Sequence, residues 1–294
     1  MPVSIGIPFY NAEKYIEDAI RSVFSQSYEE WELILIDDGS TDRSLEIARS
    51  IRDPRVRVIS DGINRRLPNR LNQITREARF DYIARMDADD LMSPDRIKKQ
   101  MAVLLEHPDV DLVTTGMCSL SNDNVPIGIR VVTEKDPVNG KNILLNRCGI
   151  IHAAMLGRKS WFVRNAYDES MKFTEDYELW LRAYSNGDFK IRILNEPLYY
   201  YREEGNVTAF KLLTTYRSHR VLFEKYGSVG FGRLGQRLLG ARSHCKSAIV
   251  KTLDKLGYLH LLLKKRNVPI VDDRLLNELL SEIDFVRSIK VAGI

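Results

Sequence analysis

The sequence is poor in the features of a secreted, membrane-spanning or metal-caged protein. Its 3 cysteines, Cys118, Cys148 and Cys245, lie far apart with no C-x-x-C pair. That spacing excludes a disulfide framework and a zinc site and fits a reducing compartment. No apolar run approaches the roughly 20 residues of a membrane-spanning helix. Met1 leads almost directly into a strand-like run, without the pattern of a secretory signal, so a cytoplasmic location is expected. Glycine-rich phosphate cradles are missing too. After the first apolar run the chain reads Ile7-Pro8-Phe9-Tyr10-Asn11-Ala12, with no G-x-G-x-x-G, and it has no Walker A segment. A nucleotide bound here must have its phosphates handled by metal and cationic side chains. Internal repeats and low-complexity segments are likewise absent.

What is present is a soluble globular composition, 44% hydrophobic and 29% charged over 294 residues, sufficient for a sizeable core. The net charge of +4 conceals an asymmetry. Residues 211–268 hold thirteen Lys or Arg against Glu224 and Asp254, whereas the first 210 residues carry a balance of −5. Two parts with different jobs are expected, an α/β part over 1–210 and a basic helical part over 211–294.

The α/β part is organised around Tyr82-Ile83-Ala84-Arg85-Met86-Asp87-Ala88-Asp89-Asp90. An apolar run that reads as a buried strand ends in three carboxylates within four positions. Like charges that close repel, and a carboxylate removed from water costs several kcal/mol unless something compensates. A divalent cation is one compensation, and Mg²⁺ takes one or two carboxylates plus substrate phosphates. The plainer alternative is a solvated acidic turn before a helix capped by Ser93. A second apolar run, residues 31–36, also ends in carboxylates, at Asp37 and Asp38. Strand-like runs at 3–7, 31–36, 56–59, 82–86 and 110–115 alternate with helical spacing, which predicts βαβ units and a mostly parallel sheet. Both acidic clusters then fall along one sheet edge, where ligands bind in open α/β folds. Asn11 is expected to cap the first helix and Pro68 to open the third. A strand or hairpin is expected over 125–132 and a short helix over 137–146. Thr174 is expected to cap a helix whose first turn holds Glu175 and Asp176, a placement the helix dipole favours.

These stretches resemble the family 2 glycosyltransferases of the GT-A fold. The resemblance is carried by Val3-Ser4-Ile5-Gly6-Ile7-Pro8-Phe9-Tyr10-Asn11, Ile36-Asp37-Asp38-Gly39-Ser40-Thr41-Asp42, residues 82–90 and Glu175-Asp176-Tyr177-Glu178-Leu179-Trp180, in the family's order over about residues 3–210. It implies a Rossmann-like, mostly parallel sheet flanked by helices, with a C-terminal helical extension. It also implies inverting transfer from a UDP-sugar to a glycan or lipid-linked oligosaccharide acceptor. Pro8 and Tyr10 would line the base, Asp38 would pair with the uracil edge and Asp87 would lie near the ribose. Asp89 would ligate Mn²⁺ or Mg²⁺, Asp176 would be the general base, and Arg66 would face the diphosphate. Two departures stand out. The loop Asn64-Arg65-Arg66-Leu67-Pro68 lacks the glycine often found there, and Glu204 stands about where many relatives carry a His. His152, at a frequent family position, reads as a structural, hydrogen-bonded His.

In the basic part, Leu234, Leu238, Ala241, Cys245, Ile249, Leu253, Leu256 and Leu259 recur at helical spacing, accompanied by Arg233, Arg237, Arg242, Lys246, Lys251 and Lys255. Lys264, Lys265 and Arg266 close that segment. A basic amphipathic helix suits the surface of an anionic membrane, on its cytoplasmic face, whereas packing on the α/β part or in a homo-oligomer is the alternative. Nucleic acid is not expected as a partner, since no recognition motif accompanies the patch. A last amphipathic helix is expected over 272–289. Competing functions are a sugar nucleotidyltransferase, which would want a Gly-rich basic loop after the first strand, and a non-catalytic nucleotide-sugar binding module, which would not need Glu175 and Asp176.

Overall fold

The computed structural model describes residues 1–131, 138–203, 208–259 and 268–294. One mixed sheet holds β1 (Val3–Phe9), β2 (Trp31–Asp37), β3 (Val56–Ser60), β4 (Tyr82–Arg85), β5 (Leu91–Met92), β6 (Leu112–Leu120), β7 (Pro126–Arg130), β8 (Leu156–Arg158) and β9 (Ile191–Arg202). Their order is β3-β2-β1-β4-β8-β6-β9-β5, with β7 on β6. The expected parallel core is there: β1 pairs parallel with β2 and β4, and β2 with β3. A second parallel pair, β6 with β9, is joined to it by the antiparallel strand β8. Gly157 permits that junction, because a Cβ there would lie 2.5 Å from Leu112 Cδ2 and 2.8 Å from the Asp111 carbonyl oxygen.

Every residue of β1 and β2 is buried, as expected for strands covered on both faces. The polar exception, Glu32, is satisfied by the Ser4 hydroxyl at 2.7 Å and the Arg79 amide at 2.7 Å. Strand β1 runs on through Pro8, past the position where an ending was expected. Pairing with β4 stops at Gly6 and only β2 remains alongside, so the missing N–H of Pro8 interrupts no ladder between β1 and β4.

The helices are α1 (Ile16–Phe24), α2 (Ser44–Ser50), α3 (Arg66–Glu77), α4 (Arg96–Glu106), α5 (Gly140–Leu144), α6 (Lys159–Arg164), α7 (Glu175–Ser185), α8 (Ala209–Tyr226), α9 (Arg233–Lys255) and α10 (Asp273–Ser288). Apolar residues of α1, α2 and α4 pack on one face of the sheet, and those of α3 and of α5 to α9 contribute to a core on the other. That second core crosses position 210, since Leu222, Phe223, Tyr226 and Leu239 share it with Trp161 and Leu179. Helix α10 returns to β5, β6 and β9 through Leu279, Ile283 and Val286.

Three expected caps are not made. The Asn11 side chain accepts from the Thr41 amide at 2.8 Å, so it ties two loops together, and α1 starts after Tyr15 without a side-chain cap. Helix α4 begins at Arg96 rather than beside Ser93, with Asp95 in the N-cap position and no side-chain cap. Thr174 precedes α7 without capping it. Helix α3 starts two residues before Pro68. The 125–132 hairpin is β7 on β6, residue 132 lying outside the described residues, as do Pro137, Glu204, Lys264, Lys265 and Arg266. The sequence pattern did not anticipate α8.

Candidate active site

The C-terminal ends of β1, β2 and β4 come out side by side. Pro8, Tyr10, Asp87 and Asp89 line one cleft of about 260 Å³, together with Asn11 and Tyr15. Four of the seven residues singled out from sequence therefore meet. Tyr10 is 51% exposed and free to cover a ligand. The order of the loops comes from cross-links between them: Ser40 Oγ accepts from the Asn11 amide at 3.1 Å, and the Asn11 side chain answers at Thr41.

Asp38 and Arg66 stand beside this cleft without lining it. The buried Asp38 carboxylate accepts from the Arg65 amide at 2.7 Å, the Arg66 amide at 3.1 Å and Arg70 Nε at 2.8 Å. It thus serves as an anionic cap, supplied from β2, for the first turn of α3. Arg70, only 1% exposed, also reaches Asp61 at 2.6 Å. Arg66 has φ +69, a left-handed conformation that glycine adopts freely and that costs arginine of order 1–3 kcal/mol. Its side chain is exposed and forms no ion pair among the described residues.

The acidic loop after β4 is held from three directions. Asp87 is ion-paired with Arg85. Asp90, 1% exposed, accepts from the Tyr199 hydroxyl at 2.7 Å and the Arg202 amide at 2.8 Å. The Tyr199 hydroxyl in turn accepts from the Asp87 amide at 3.1 Å, and Arg202 Nε donates to the Asp89 carbonyl at 2.9 Å. Among the described residues the Asp89 carboxylate has no such partner. Burial, and then the charge of Asp87, push it up to about 6. A divalent cation fits that donor set: it would relieve both carboxylates, which Mg²⁺ or Mn²⁺ does with one or two protein oxygens plus ligand oxygens. Among the described residues no three His, Cys, Asp or Glu side chains form a ready metal cage, so most of the coordination would come from elsewhere.

Asp176 does not line the cleft. It borders a separate cavity with Thr174, Tyr177 and Trp180. Arg85 lies between the two groups. It contacts Asp87 on one side and His152 Nδ1, at 2.5 Å, on the other, and its charge acts on both Glu175 and Asp176. His152 Nε2 lies 2.8 Å from the Tyr167 hydroxyl. With a guanidinium donating to Nδ1, His152 is neutral with its proton on Nε2, and burial and Arg85 push its pKa well down. It is the structural His expected. Burial raises both carboxyls of the Glu175–Asp176 pair, and Glu175 goes up to about 7, burial first and the Asp176 charge second.

Arg85, Tyr199 and Arg202 were not singled out from sequence. Arg85 falls within an apolar run and is read as strand filling; a charged residue two positions before an acidic cluster was the available signal. Tyr199 and Arg202 are more than a hundred positions from the loop they hold, and only the β5–β9 pairing brings them there.

Residues 4–165 match the family described as Glycosyl transferase family 2. EpsE of Bacillus subtilis, which carries a glycosyltransferase name, is 36% identical over 215 residues, covering 71% of this chain and 75% of its own. Chondroitin synthase of Escherichia coli is 26% identical over 250 residues, which cover 83% of this chain and 35% of the synthase. Among solved structures, S. aureus TarS residues 1–349 in complex with UDP superposes with a TM-score of 0.61 at 22% identity, over 83% of this chain and 70% of that one. At that identity the likeness shows the fold.

Replacing Tyr199 with Phe leaves the ring but strips the acidic loop of the hydroxyl that Asp90 and the Asp87 amide share. A loss of about 1–3 kcal/mol in urea unfolding with unchanged slope is expected. An unchanged midpoint would show that the hydroxyl contributes no net support.

Proposed function

The chain belongs to glycosyl transferase family 2, and on that premise we propose an inverting, metal-dependent hexosyltransferase that moves a sugar from a UDP-sugar to a glycan acceptor. The observation that carries the reading is the placement of two acidic groups about Arg85: an acidic loop in a cleft beside Pro8 and Tyr10, and a buried carboxylate pair on α7. The UDP in the TarS complex and the name of chondroitin synthase support a uridine nucleotide and a place in cell-surface polysaccharide synthesis.

In this reading Tyr10 and Pro8 flank the base and Asp38 holds the uracil edge with its remaining acceptor capacity. Asp87 takes the ribose. Arg66, exposed and without an ion-pair partner among the described residues, turns to the diphosphate. Asp89 would hold Mn²⁺ or Mg²⁺, which would supply Lewis-acid neutralisation of the departing diphosphate. The acceptor hydroxyl loses its proton to Asp176 as its oxygen attacks the anomeric carbon from the face opposite the leaving group. Burial raises both carboxyls of the pair, and the charge of Arg85 opposes that rise at each of them. His152 and Tyr167 orient Arg85 and exchange no proton.

We also propose that α9 rests on an anionic membrane bearing a lipid-linked acceptor. Leu239 and Val250 are buried, whereas Leu234, Leu238, Ile249 and Leu256 on the opposite face are 72%, 62%, 53% and 60% exposed. No helix among the described residues is long and apolar enough to cross a membrane.

Asp89→Ala should abolish the Mn²⁺-dependent part of UDP binding in calorimetry while leaving the unfolding midpoint near its original value. Equal UDP affinity with and without Mn²⁺ in both proteins would remove Asp89 from the site. Asp176→Asn, nearly isosteric, should lower sugar transfer by roughly 10²–10⁴-fold with donor binding intact. Retention of most transfer would shift the base to Glu175 or leave a non-catalytic binding module. For the membrane, the full chain should co-sediment with anionic but not neutral liposomes, and less so as salt rises, since each basic residue contributes about 1 kcal/mol at such a surface. Indifference to anionic liposomes at low salt would make the apolar stripe a contact between copies of this chain.

A further inference from the structure

Two cavities between the C-terminal helices and the α/β part run into each other. The smaller, about 150 Å³, is the one bordered by Asp176 and Thr174. The larger, about 270 Å³, opens between α5, α8 and α9 and is lined by Tyr216, Arg242, Ser243 and Lys246. Asn146, Thr215 and His219 line both, so a single passage leads from the α7 carboxylates to the side of α9.

The two ends of this passage are chemically opposite. At the α7 end, Thr174 Oγ1 is buried without a hydrogen-bond partner among the described residues, in a residue only 1% exposed. A buried hydroxyl of that kind costs about 1–3 kcal/mol unless something arrives to pair with it. At the α9 end, no acidic residue lines the larger cavity. Arg242 and Lys246 have no ion-pair partner among the described residues, and Lys246 has only the Tyr216 ring, 5.7 Å away. Burial and then Arg242 lower the Lys246 pKa, as for two cations one helical turn apart. The junction is uncharged: the His219 ring centroid is 4.5 Å from that of Tyr177, and burial followed by Lys246 pushes His219 down to about 4, leaving it neutral.

Resting on the reading of Asp176 as the base, we propose that this passage is the acceptor site. It presents an acceptor hydroxyl to Asp176 and Thr174 while Arg242 and Lys246 hold an anionic group, phosphate or carboxylate, elsewhere on the same acceptor. A guanidinium and an ammonium side by side suit oxyanions, the former through paired N–H donors and the latter as a point charge. Partial shelter from water strengthens the attraction. The acceptor is then a negatively charged glycan, or one still attached to a lipid phosphate, rather than a neutral sugar. The basic residues of α9 accordingly divide between surface charge and substrate recognition.

The test is calorimetry on the full chain with UDP and Mn²⁺, using methyl glucoside as the neutral probe against methyl glucuronoside, glucose 6-phosphate and farnesyl phosphate. Anionic probes should bind at least about tenfold more tightly than methyl glucoside, and Arg242→Gln with Lys246→Gln should remove that advantage. The unfolding midpoint and UDP affinity of the double variant should not move, because both side chains lie at the surface of α9. Binding of the soluble anions identifies the charge as part of the glycan; binding of farnesyl phosphate alone identifies a lipid phosphate. Equal affinity for neutral and anionic probes, no binding of any probe, or full anion affinity in the double variant overturns the proposal. Loss of UDP binding in the unaltered chain would instead overturn the glycosyltransferase mechanism itself.

Discussion

The site depends on the crowding of carboxylates at the end of β4. Three negative charges within four positions are tolerable only if each meets a different fate. Asp87 is neutralised by Arg85, and Asp90 is taken into the core by Tyr199 and the Arg202 amide. Asp89 is left with its carboxyl raised to about 6. The first two arrangements are structural and make the loop rigid. The third is an unbalanced charge held in a fixed position beside the cleft, which is what a site for an incoming cation requires. Arg85 matters twice, because the same guanidinium that steadies Asp87 also acts on Glu175 and Asp176. The two acidic groups are thereby coupled through one buried cation.

A comparable economy operates at Asp38. Its carboxylate anchors the start of α3 and the Arg70 side chain at once, so the turn between β3 and α3 is built around an anion from a different strand. With the first amides of α3 tied down, Arg66 is held in a left-handed conformation that an unconstrained arginine would leave. The strain is local and adjoins the cleft, a usual place for stored strain in a functional protein.

The strands and the acidic edge were legible because they obey local rules. Strands covered on both faces are continuous apolar runs, and residues 31–36 and 82–86 could be read as such without tertiary knowledge. What escaped was decided by contacts distant in sequence. Asn11 has the composition of a cap, but a closer donor, the Thr41 amide from the neighbouring loop, takes its oxygen. Thr174 stands where a cap belongs, yet its hydroxyl bonds none of the helix amides. Arg85 was hidden by apolar neighbours, and Arg202 by the distance between β9 and the loop it pins. Helix α8 carries too weak an apolar stripe to announce itself, since only Leu222, Phe223 and Tyr226 of its residues are buried.

Helix α9 shows why a charge run need not have one purpose. Counting at 3.6 residues per turn, Leu234, Leu238, Cys245, Ile249 and Leu256 fall on one face, opposite the buried Leu239, Ser243 and Val250. The basic residues occupy both flanks between these faces. Arg233, Arg237, Lys251 and Lys255 lie on one flank. Arg242 and Lys246 lie on the other, where the larger cavity opens. A head group at the membrane surface meets the first set by proximity alone, with the salt sensitivity of exposed charge. An anion entering the cavity meets the second set, flanked by Tyr216 and the neutral His219 in a partly sheltered space. On the proposed reading, attraction to a surface and recognition of a substrate use the same residue types on one helix, and the flank they occupy separates them.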